Sequence, residues 1–359
     1  MHENEELEVR SFLFIILFFV VSAFASGLGV YSNGNERIPL TAEAWAMGNA
    51  TTANPSYALV WQNPAKLAFT NGFTTGLGGT FRTLDRTESF LSGEYKIPNK
   101  RFGVGGIFSY KGIANLDSLR KDGIIYPTTS YTNITTKLGV GVALSGNWSL
   151  GFSGAWYYSS IPVRFKETGS IETNSSSTIG GLSLLAMYQN RKGLSLGFGI
   201  RDIFSYNDWS YQESSNSPMI NSLIDTMPSV LVAAAEYEFA ILDTQKIKIS
   251  TDFNGYLVNS FFNRYDHAAL AINWGAEWSP NKVISFRTGM RDILCNRNFF
   301  KNRPLWRLEN NPRLSFGLGV NLETIPGWNM SKKFGVNYGI SNSGAQVGVE
   351  HAVDMVWRW

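Results

Sequence analysis

Apolar and polar residues alternate with a period of two along most of the chain after residue 70. In the run at 313–323, Leu314, Phe316 and Leu318 share one parity, and the positions between them hold Ser or Gly. Because successive side chains of a β-strand point to opposite faces, such a run predicts a strand with one apolar face and one small or polar face.

Fourteen runs of this kind follow one another along the chain. They lie near residues 71–82, 88–96, 102–111, 136–145, 149–158, 181–189, 194–201, 229–239, 246–256, 268–278, 283–290, 313–323, 333–340 and 346–359.

The connections between these runs alternate in length. Turns of a few residues alternate with long polar stretches at 112–135, 159–180, 202–228, 257–267 and 291–312. Outer-membrane barrels have short periplasmic turns and longer external loops. The pattern therefore predicts an antiparallel barrel with an even number of strands, located in the bacterial outer membrane with both termini in the periplasm.

The composition favours the same class of protein. Aromatic residues make up 14% of the chain and charged residues 16%, well below the roughly 25% charged residues of soluble domains. No stretch after residue 25 reaches about 18 consecutive apolar residues, which excludes helical membrane spans. These features predict an all-β fold, a transmembrane outer-membrane β-barrel of about fourteen antiparallel strands. The alternative is a soluble β-sandwich, but its solvent face would carry charges where this chain has mostly Gly, Ala, Ser and Asn.

Residues 1–25 predict a secretory signal peptide. Residues 12–21 form an unbroken apolar run, and residues 23–25 read AFA, a small-residue cleavage pattern. The segment before the run is acidic, whereas a basic one is typical of such leaders. We therefore expect translation to start at Val9, which places Arg10 directly before the apolar run.

Residues 26–70 do not alternate, and they precede the predicted barrel at 71–359. Two prolines, Pro55 and Pro64, interrupt them. The lumen of a fourteen-stranded barrel is too wide for its own side chains to fill, so we expect this segment to fold inside it as a short N-terminal plug. Asn63 is a good N-cap, and the following proline suits the first position of a short helix. The alternative is that this Asn-Pro pair marks only a turn.

The last run ends in Trp357 and Trp359, which share its apolar face. A final strand with a terminal aromatic residue is similar to the signal read by the barrel assembly machinery of the outer membrane. Both side chains also suit the aromatic belt at the interface with outer-membrane lipid. The sequence therefore predicts that this lipid and this machinery are partners.

The stretch AMGNATTANPSYALVWQNPAKLAF resembles the N-terminal signature of PorV and PorQ proteins, which are relatives of the FadL fatty-acid transporters. The matching residues are Met47, Gly48, Asn63, Pro64 and Ala65. Gln62 departs from the pattern, because it separates Trp61 from the Asn-Pro-Ala motif. Later blocks, such as WGAEWSPNKVISFRTGMRD, are similar to the closing strands of the same family.

The resemblance implies one of two functions. The first is an accessory barrel in protein export to the cell surface, with secreted proteins or secretion-system components as partners. Its interaction surface would be the aromatic loops at 206–215 and 297–311. The second is a FadL-like passive transporter of a hydrophobic ligand, with the plug as its gate. The polar inward face and the aromatic loops favour the first interpretation.

The residues that carry chemistry are sparse, and we expect no enzyme activity, no cofactor and no metal site. After the leader the histidines are His267 and His351, and no His/Cys cluster has metal-ligand spacing. Some outer-membrane lipases place a Ser and a His on the lipid-facing wall. His351 lies on the apolar face of the last run, but no Ser is two residues away. The formal net charge of +3 is spread out, so nucleic acid is not an expected partner.

Six charged residues are predicted to face the lumen. They are Asp252, Glu277, Arg287, Glu350, Asp354 and Arg358. Such charges form a salt-bridge network that stiffens the wall and holds the plug, or they line a path for substrate. The network is the favoured interpretation.

Overall fold

The structure is a computed structural model. It describes residues 38–82, 86–116, 129–164, 171–211, 220–242, 244–258, 267–295, 312–322, 333–342 and 348–359. The predicted signal peptide, the start at Val9 and the interaction loop at 297–311 lie outside these residues.

Sixteen strand segments make up the wall. They are β1 Phe73–Arg82, β2 Arg86–Lys96, β3 Phe102–Leu116, β4 Thr129–Ala143, β5 Trp148–Arg164, β6 Ile171–Gln189, β7 Leu194–Ile203, β8 Tyr206–Tyr211, β9 Ile220–Thr226, β10 Ser229–Leu242, β11 Gln245–Val258, β12 His267–Ser279, β13 Ile284–Cys295, β14 Arg313–Asn321, β15 Lys333–Asn342 and β16 Val349–Arg358.

The sheet closes on itself, because β1 pairs antiparallel with both β2 and β16. The sixteen segments form fourteen wall strands, since two of these strands are interrupted. β7 and β8 together form one wall strand, and both pair with β6. β9 and β10 together form the next wall strand, in which β9 pairs with β8 and β10 pairs with β7. A closed, antiparallel barrel of fourteen strands is thus confirmed.

All fourteen predicted runs coincide with wall strands, but two hairpins are longer than predicted. β3 and β4 extend into residues 112–135, and β5 and β6 extend into 159–180, which the sequence predicts as loops. The apolar alternation marks only the lipid-facing belt of a barrel strand. Beyond that belt the strands continue through backbone pairing, which leaves no apolar period in the sequence.

The prediction of a loop at 202–228 is also wrong, because β8 and β9 lie within this segment. They form an antiparallel pair in which Trp209 lies opposite Leu223. The aromatic segment at 206–215, predicted as an interaction surface, therefore begins as a wall strand.

The two faces of the wall differ as the alternation predicts. On β14, Phe316 is 58% exposed on the outside of the barrel, whereas Ser315 is fully buried on the inside. Aromatic pairs lie on the outside near the short turns, where Trp278 stacks on Phe286 with ring centroids 5.7 Å apart. Within the described ranges, no helix is both long enough and apolar enough to cross a bilayer.

The segment before β1 folds inside the barrel. It contains helix α1 Ala42–Ala46, helix α2 Leu59–Gln62 and a 3-10 helix, η1, at Pro64–Phe69. α1 packs against β13 to β16, and η1 packs against β2 to β6. We call residues 38–70 the plug. We call the barrel end with the short connections, such as 97–101 and 190–193, the turn end, and the opposite end the loop end.

Candidate functional site

Glycines on the inner face of the wall receive the plug. A Cβ atom at Gly151 would lie 2.0 Å from the backbone nitrogen of Ala65, and one at Gly289 would lie 2.2 Å from that of Gly48. Other inner glycines make similarly close approaches to the plug, namely Gly103, Gly141, Gly275, Gly317 and Gly339. The wall and the plug backbone therefore touch directly, and the glycine-rich inner face is the sequence signal of this contact.

The Met-Gly pair of the plug sits between β12 and β13. Gly48 has a left-handed φ of +60°, and a Cβ atom there would lie 2.4 Å from the backbone nitrogen of Met290. The carbonyl oxygen of Met47 would be 2.5 Å from a Cβ atom at Gly275. Only glycine satisfies both the conformation and the space at Gly48.

The Asn-Pro-Ala motif starts η1, as the sequence predicts for a short helix. Asn63 Oδ1 accepts the backbone N–H of Ala65 at 3.1 Å, and Pro64 occupies the first helical position. The amide of Asn63 also donates to the carbonyl oxygen of Thr52 at 2.9 Å. The motif therefore caps one element of the plug and ties it to another.

Carboxylates of the wall accept hydrogen bonds from backbone N–H groups of the plug. Asp252 Oδ2 accepts from Thr52 at 3.1 Å, and Glu94 Oε1 accepts from Leu59 at 3.2 Å. Asp354 accepts from the N–H of Ala42. A buried backbone donor without a partner costs about 1–3 kcal/mol, so these contacts hold the plug in one register.

An apolar cluster joins the plug to one side of the wall. Leu59, Val60 and Leu67 are buried against Phe90 and Ile107 of β2 and β3. Fully burying one such side chain contributes roughly 1.5–3 kcal/mol. The plug is thus packed against this side of the wall like a protein core.

Two groups of lumen charges connect wall strands to one another and also reach the plug. In the first, Arg287 donates to Glu277 at 2.6 Å and to Asn337 at 2.7 Å, and Lys248 pairs with Glu277 at 3.2 Å. These residues connect β11, β12, β13 and β15 across the inside of the sheet.

The second group surrounds Glu350, which is fully buried at the loop end of β16. Arg82 pairs with it at 2.8 Å and Arg291 at 3.4 Å, and the Arg291 guanidinium lies 4.3 Å from the centre of the Trp45 ring in the plug. Arg358 lies at the turn end and makes no ion pair within the described part of the chain.

Two titratable groups of the plug are shifted by burial. Burial raises the pKa of the Tyr57 phenol well above its ordinary value, and the neighbouring Asp354 carboxylate adds to this effect. Burial also lowers the pKa of the Lys66 amine to about 8, although the amine donates to Asn54 at 2.5 Å and to Gln189 at 3.1 Å. Lys66 thereby fastens η1 to the turn end of β6.

The breaks in the two interrupted strands lie side by side. Asp202 and Phe204 have left-handed φ angles of +57° and +56°, so the chain leaves the strand conformation between β7 and β8. Opposite them, Pro228 separates β9 from β10 and has no N–H to give to the ladder. One backbone bond, from Met227 N–H to the Ser205 carbonyl at 2.9 Å, spans this place. We call residues 202–205 and 227–228 the wall interruption.

A cavity lies between the plug and the wall interruption. Its volume is about 50 Å³, and it is partly open to solvent. Its lining consists of Ile38, Asn49, Thr52, Trp61, Gln62, Lys137, Arg201, Asp202, Met227, Pro228, Val230, Asn254 and Tyr256.

Side chains in this cavity connect the plug to the wall interruption. The Lys137 ammonium lies 4.5 Å from the centre of the Trp61 ring, and it pairs with Asp202 at 3.2 Å. Tyr157 donates to the same Asp202 oxygen at 3.2 Å. Cation–π contacts and ion pairs of this kind hold the ring against the wall. Sequence reasoning missed these residues, and the only local signal is Pro228 in a segment predicted as a loop.

His351 lies on the outer face, where its Nδ1 is 2.7 Å from the hydroxyl of Tyr338. This pair gives the histidine a hydrogen-bond partner in a largely apolar surface. Among the described residues, no group of three or more His, Cys, Asp or Glu side chains is arranged to hold a metal ion.

The fold is similar to those of three solved hydrocarbon channels. The toluene transporter TodX of P. putida aligns with a TM-score of 0.58 at 11% identity, over 88% of this chain and 97% of that one. The CymD monoaromatic hydrocarbon channel gives 0.54 at 13% identity over 89% and 96%, and the toluene transporter TbuX of Ralstonia pickettii gives 0.53 at 12% identity over 88% and 96%. At this identity the likeness shows the fold.

No protein-family model matches the sequence, and no curated protein sequence is significantly similar to it. The resemblance to PorV and PorQ therefore has no support from these comparisons.

The glycine contacts predict that a larger inner side chain displaces the plug. Gly151→Val should leave the barrel inserted, because the new side chain points into the lumen, and should raise its conductance in planar bilayers, because Ala65 has to move. Gly93→Val is the matched control, since a Cβ atom at Gly93 meets nothing closer than 3.9 Å. Equal conductance of the two variants would contradict the prediction, because it would show that the plug adjusts to the larger side chain without opening the lumen.

Proposed function

We propose that this protein is a passive outer-membrane channel for small hydrophobic molecules, with the plug as the barrier in its lumen. The observation that carries the proposal is the cavity between the plug and the wall interruption. It places an open space beside the part of the wall where the strand ladder is interrupted.

A hydrophobic molecule in this cavity has a favourable route sideways. The plug packs against the wall through glycines and an apolar cluster, so the straight path along the lumen is closed. The interruption replaces the regular ladder with isolated contacts, such as Ser229 Oγ to the Asp202 carbonyl at 3.3 Å. Moving apolar surface from water into the membrane gains about 25 cal/mol per Å². A passage through the wall would therefore need no further driving force.

The orientation follows from the same proposal. The loop end faces the outside of the cell and the turn end faces the periplasm, as in barrels with short periplasmic turns. Both termini then lie in the periplasm, because β1 begins and β16 ends at the turn end. The outward apolar face contacts outer-membrane lipid.

The accessory role in protein export is the less supported function. It depends on aromatic external loops, and the segment at 206–215 begins as a paired strand instead. TodX and CymD, two solved structures with a similar fold, are a toluene transporter and a monoaromatic hydrocarbon channel by their names, which agrees better with passage of a small molecule.

Uptake of radiolabelled toluene into a Gram-negative host tests the channel. Cells that express the protein should accumulate toluene several-fold faster than cells with an empty vector. Met227→Trp should reduce this uptake to the background, because the indole fills the cavity beside the interruption. Met355→Trp is the matched control, since Met355 is 40% exposed on the outer face, and it should leave uptake unchanged.

Two results would refute the proposal. One is uptake by the expressing cells at the empty-vector rate, with folded protein present in the outer membrane. The other is co-purification of exported proteins in fixed stoichiometry, combined with the absence of any uptake, which would favour the accessory role.

A further inference from the structure

The cavity is more polar than a site for a plain hydrocarbon. Ligand sites of this kind are lined predominantly by apolar and aromatic side chains, with few polar groups. Here three charged side chains contribute to the lining, namely Lys137, Arg201 and Asp202. Asparagine, glutamine and threonine side chains from the plug and from β11 add to them.

Arg201 is the charged group without an ionic partner. Its guanidinium donates to Asn254 Oδ1 at 2.9 Å, and within the described part of the chain no carboxylate forms an ion pair with it. A guanidinium group has five N–H donors in a planar fork, which fits the two oxygens of a carboxylate. Most of the donors of Arg201 are therefore available to a molecule in the cavity.

The nearby carboxylates have other partners. Asp202 pairs with Lys137 at 3.2 Å. Asp252, which faces the lumen two residues before Asn254, accepts the backbone N–H of Thr52 at 3.1 Å and does not line the cavity. Its charge interacts with Arg201, but the two side chains form no ion pair. The lining itself carries two cations and one anion, and Arg201 is the cation in it without an ion pair.

A second excess of positive charge lies at the loop end, where a ligand from outside would enter. Among the described residues that form ion pairs there, four guanidinium groups meet two carboxylates, and Lys111 pairs with Glu88 beside them. The cations are Arg82, Arg86, Arg291 and Arg313, and the carboxylates are Glu350 and Asp292. An excess of one sign of charge at the mouth of a lumen concentrates ligands of the opposite sign.

The rest of the lining suits a compact apolar body. Trp61, Met227 and Tyr256 are buried and belong to the same cavity as Arg201. We infer that the cavity binds a small organic anion, a single carboxylate on a compact apolar body, with Arg201 as the partner of the carboxylate. This inference deepens the proposed channel function and takes the cavity as its ligand site.

Calorimetric titration of the purified, detergent-solubilised protein with benzoate, benzyl alcohol and toluene at neutral pH tests the inference. Benzoate should bind saturably and at least about tenfold tighter than benzyl alcohol, because a hydrogen-bonded charge pair is added to the same apolar contacts. Arg201→Gln should weaken benzoate binding about tenfold or more and leave benzyl alcohol unchanged. Arg201→Lys, which keeps the charge, should retain part of the benzoate affinity. Arg101→Gln, at an exposed turn, is the matched control and should bind like the parent.

Heat-modifiable migration on gels checks that each variant is folded. The inference is overturned if the parent binds benzoate no tighter than benzyl alcohol, or if folded Arg201→Gln binds benzoate as the parent does. These outcomes are separate from the failure of the channel. Toluene uptake without benzoate binding would overturn only the ligand class, whereas benzoate binding without uptake of either molecule would overturn only the transport.

Discussion

Deletion of residues 26–70 is expected to leave a barrel that inserts and closes but conducts about tenfold more than the parent. The hydrogen bonds of the wall run between neighbouring strands and close from β16 to β1 without the plug. The carboxylates that bind the plug, such as Asp252 and Asp354, become hydrated instead of losing a partner in a dry site. Single-channel conductance in planar bilayers measures the effect.

Pro64→Ala is the milder companion of this deletion. It removes the preset first residue of η1 but keeps the Asn63 cap, so the helix loosens while the lumen stays filled. Its conductance should therefore remain near that of the parent. Failure of the deleted barrel to insert would mean that the plug is needed to form the wall. Insertion with unchanged conductance would place the barrier elsewhere in the lumen and would contradict the plug as gate.

The wall was predictable from sequence because each barrel strand has an exposed apolar face on the outside and a small or polar face toward the lumen. That asymmetry imposes a period of two on residues such as Leu314 and Phe316. It does not extend to β8 and β9, which pair through their backbones and have no apolar period. Two of the wall strands therefore looked shorter than they are, and the interruption between their segments lay in a predicted loop.

The candidate site was predictable only in its parts. The parity of Glu277, Glu350 and Asp354 places them on the inner face, and the Asn63-Pro64 pair indicates a helix start. Their partners are far away in sequence, as in the contact from Asp354 to Ala42, 312 positions apart. Only the closed sheet brings such residues together, so no spacing rule reveals the cavity.

The structure explains why the inner face of the wall is rich in glycine. The number of these glycines suggests a barrel, but their positions serve the plug. Gly141, Gly151 and Gly289 are points where a side chain would strike plug backbone. The same residue type that makes the inner face look featureless in sequence therefore fixes where the plug docks.

The other large effect is expected at the last residue. Trp359→Asp should leave the protein degraded or soluble in the periplasm, with little of it in the outer membrane. The backbone N–H of Trp359 donates to the Phe73 carbonyl at 2.9 Å at the seam where β16 meets β1, and its side chain is 54% exposed on the outer side. An aspartate there puts a charge at the aromatic belt and removes the terminal aromatic residue that the assembly machinery is expected to read. Membrane fractionation and heat-modifiable migration on gels measure the yield.

A control variant distinguishes the effect of the Trp359 side chain from that of its backbone hydrogen bond at the seam between β1 and β16. Trp359→Phe keeps an aromatic ring and the same backbone bond, so it should insert like the parent. Trp357→Phe tests the neighbouring position, where the indole packs against Phe334 with ring centroids 5.2 Å apart, and should cause only a small loss. If the aspartate variant inserts normally, the terminal aromatic residue is incidental, and closure of the seam by β1 and β16 alone is enough for assembly. If the phenylalanine variant fails as well, the indole itself is required, through its interfacial N–H or its size.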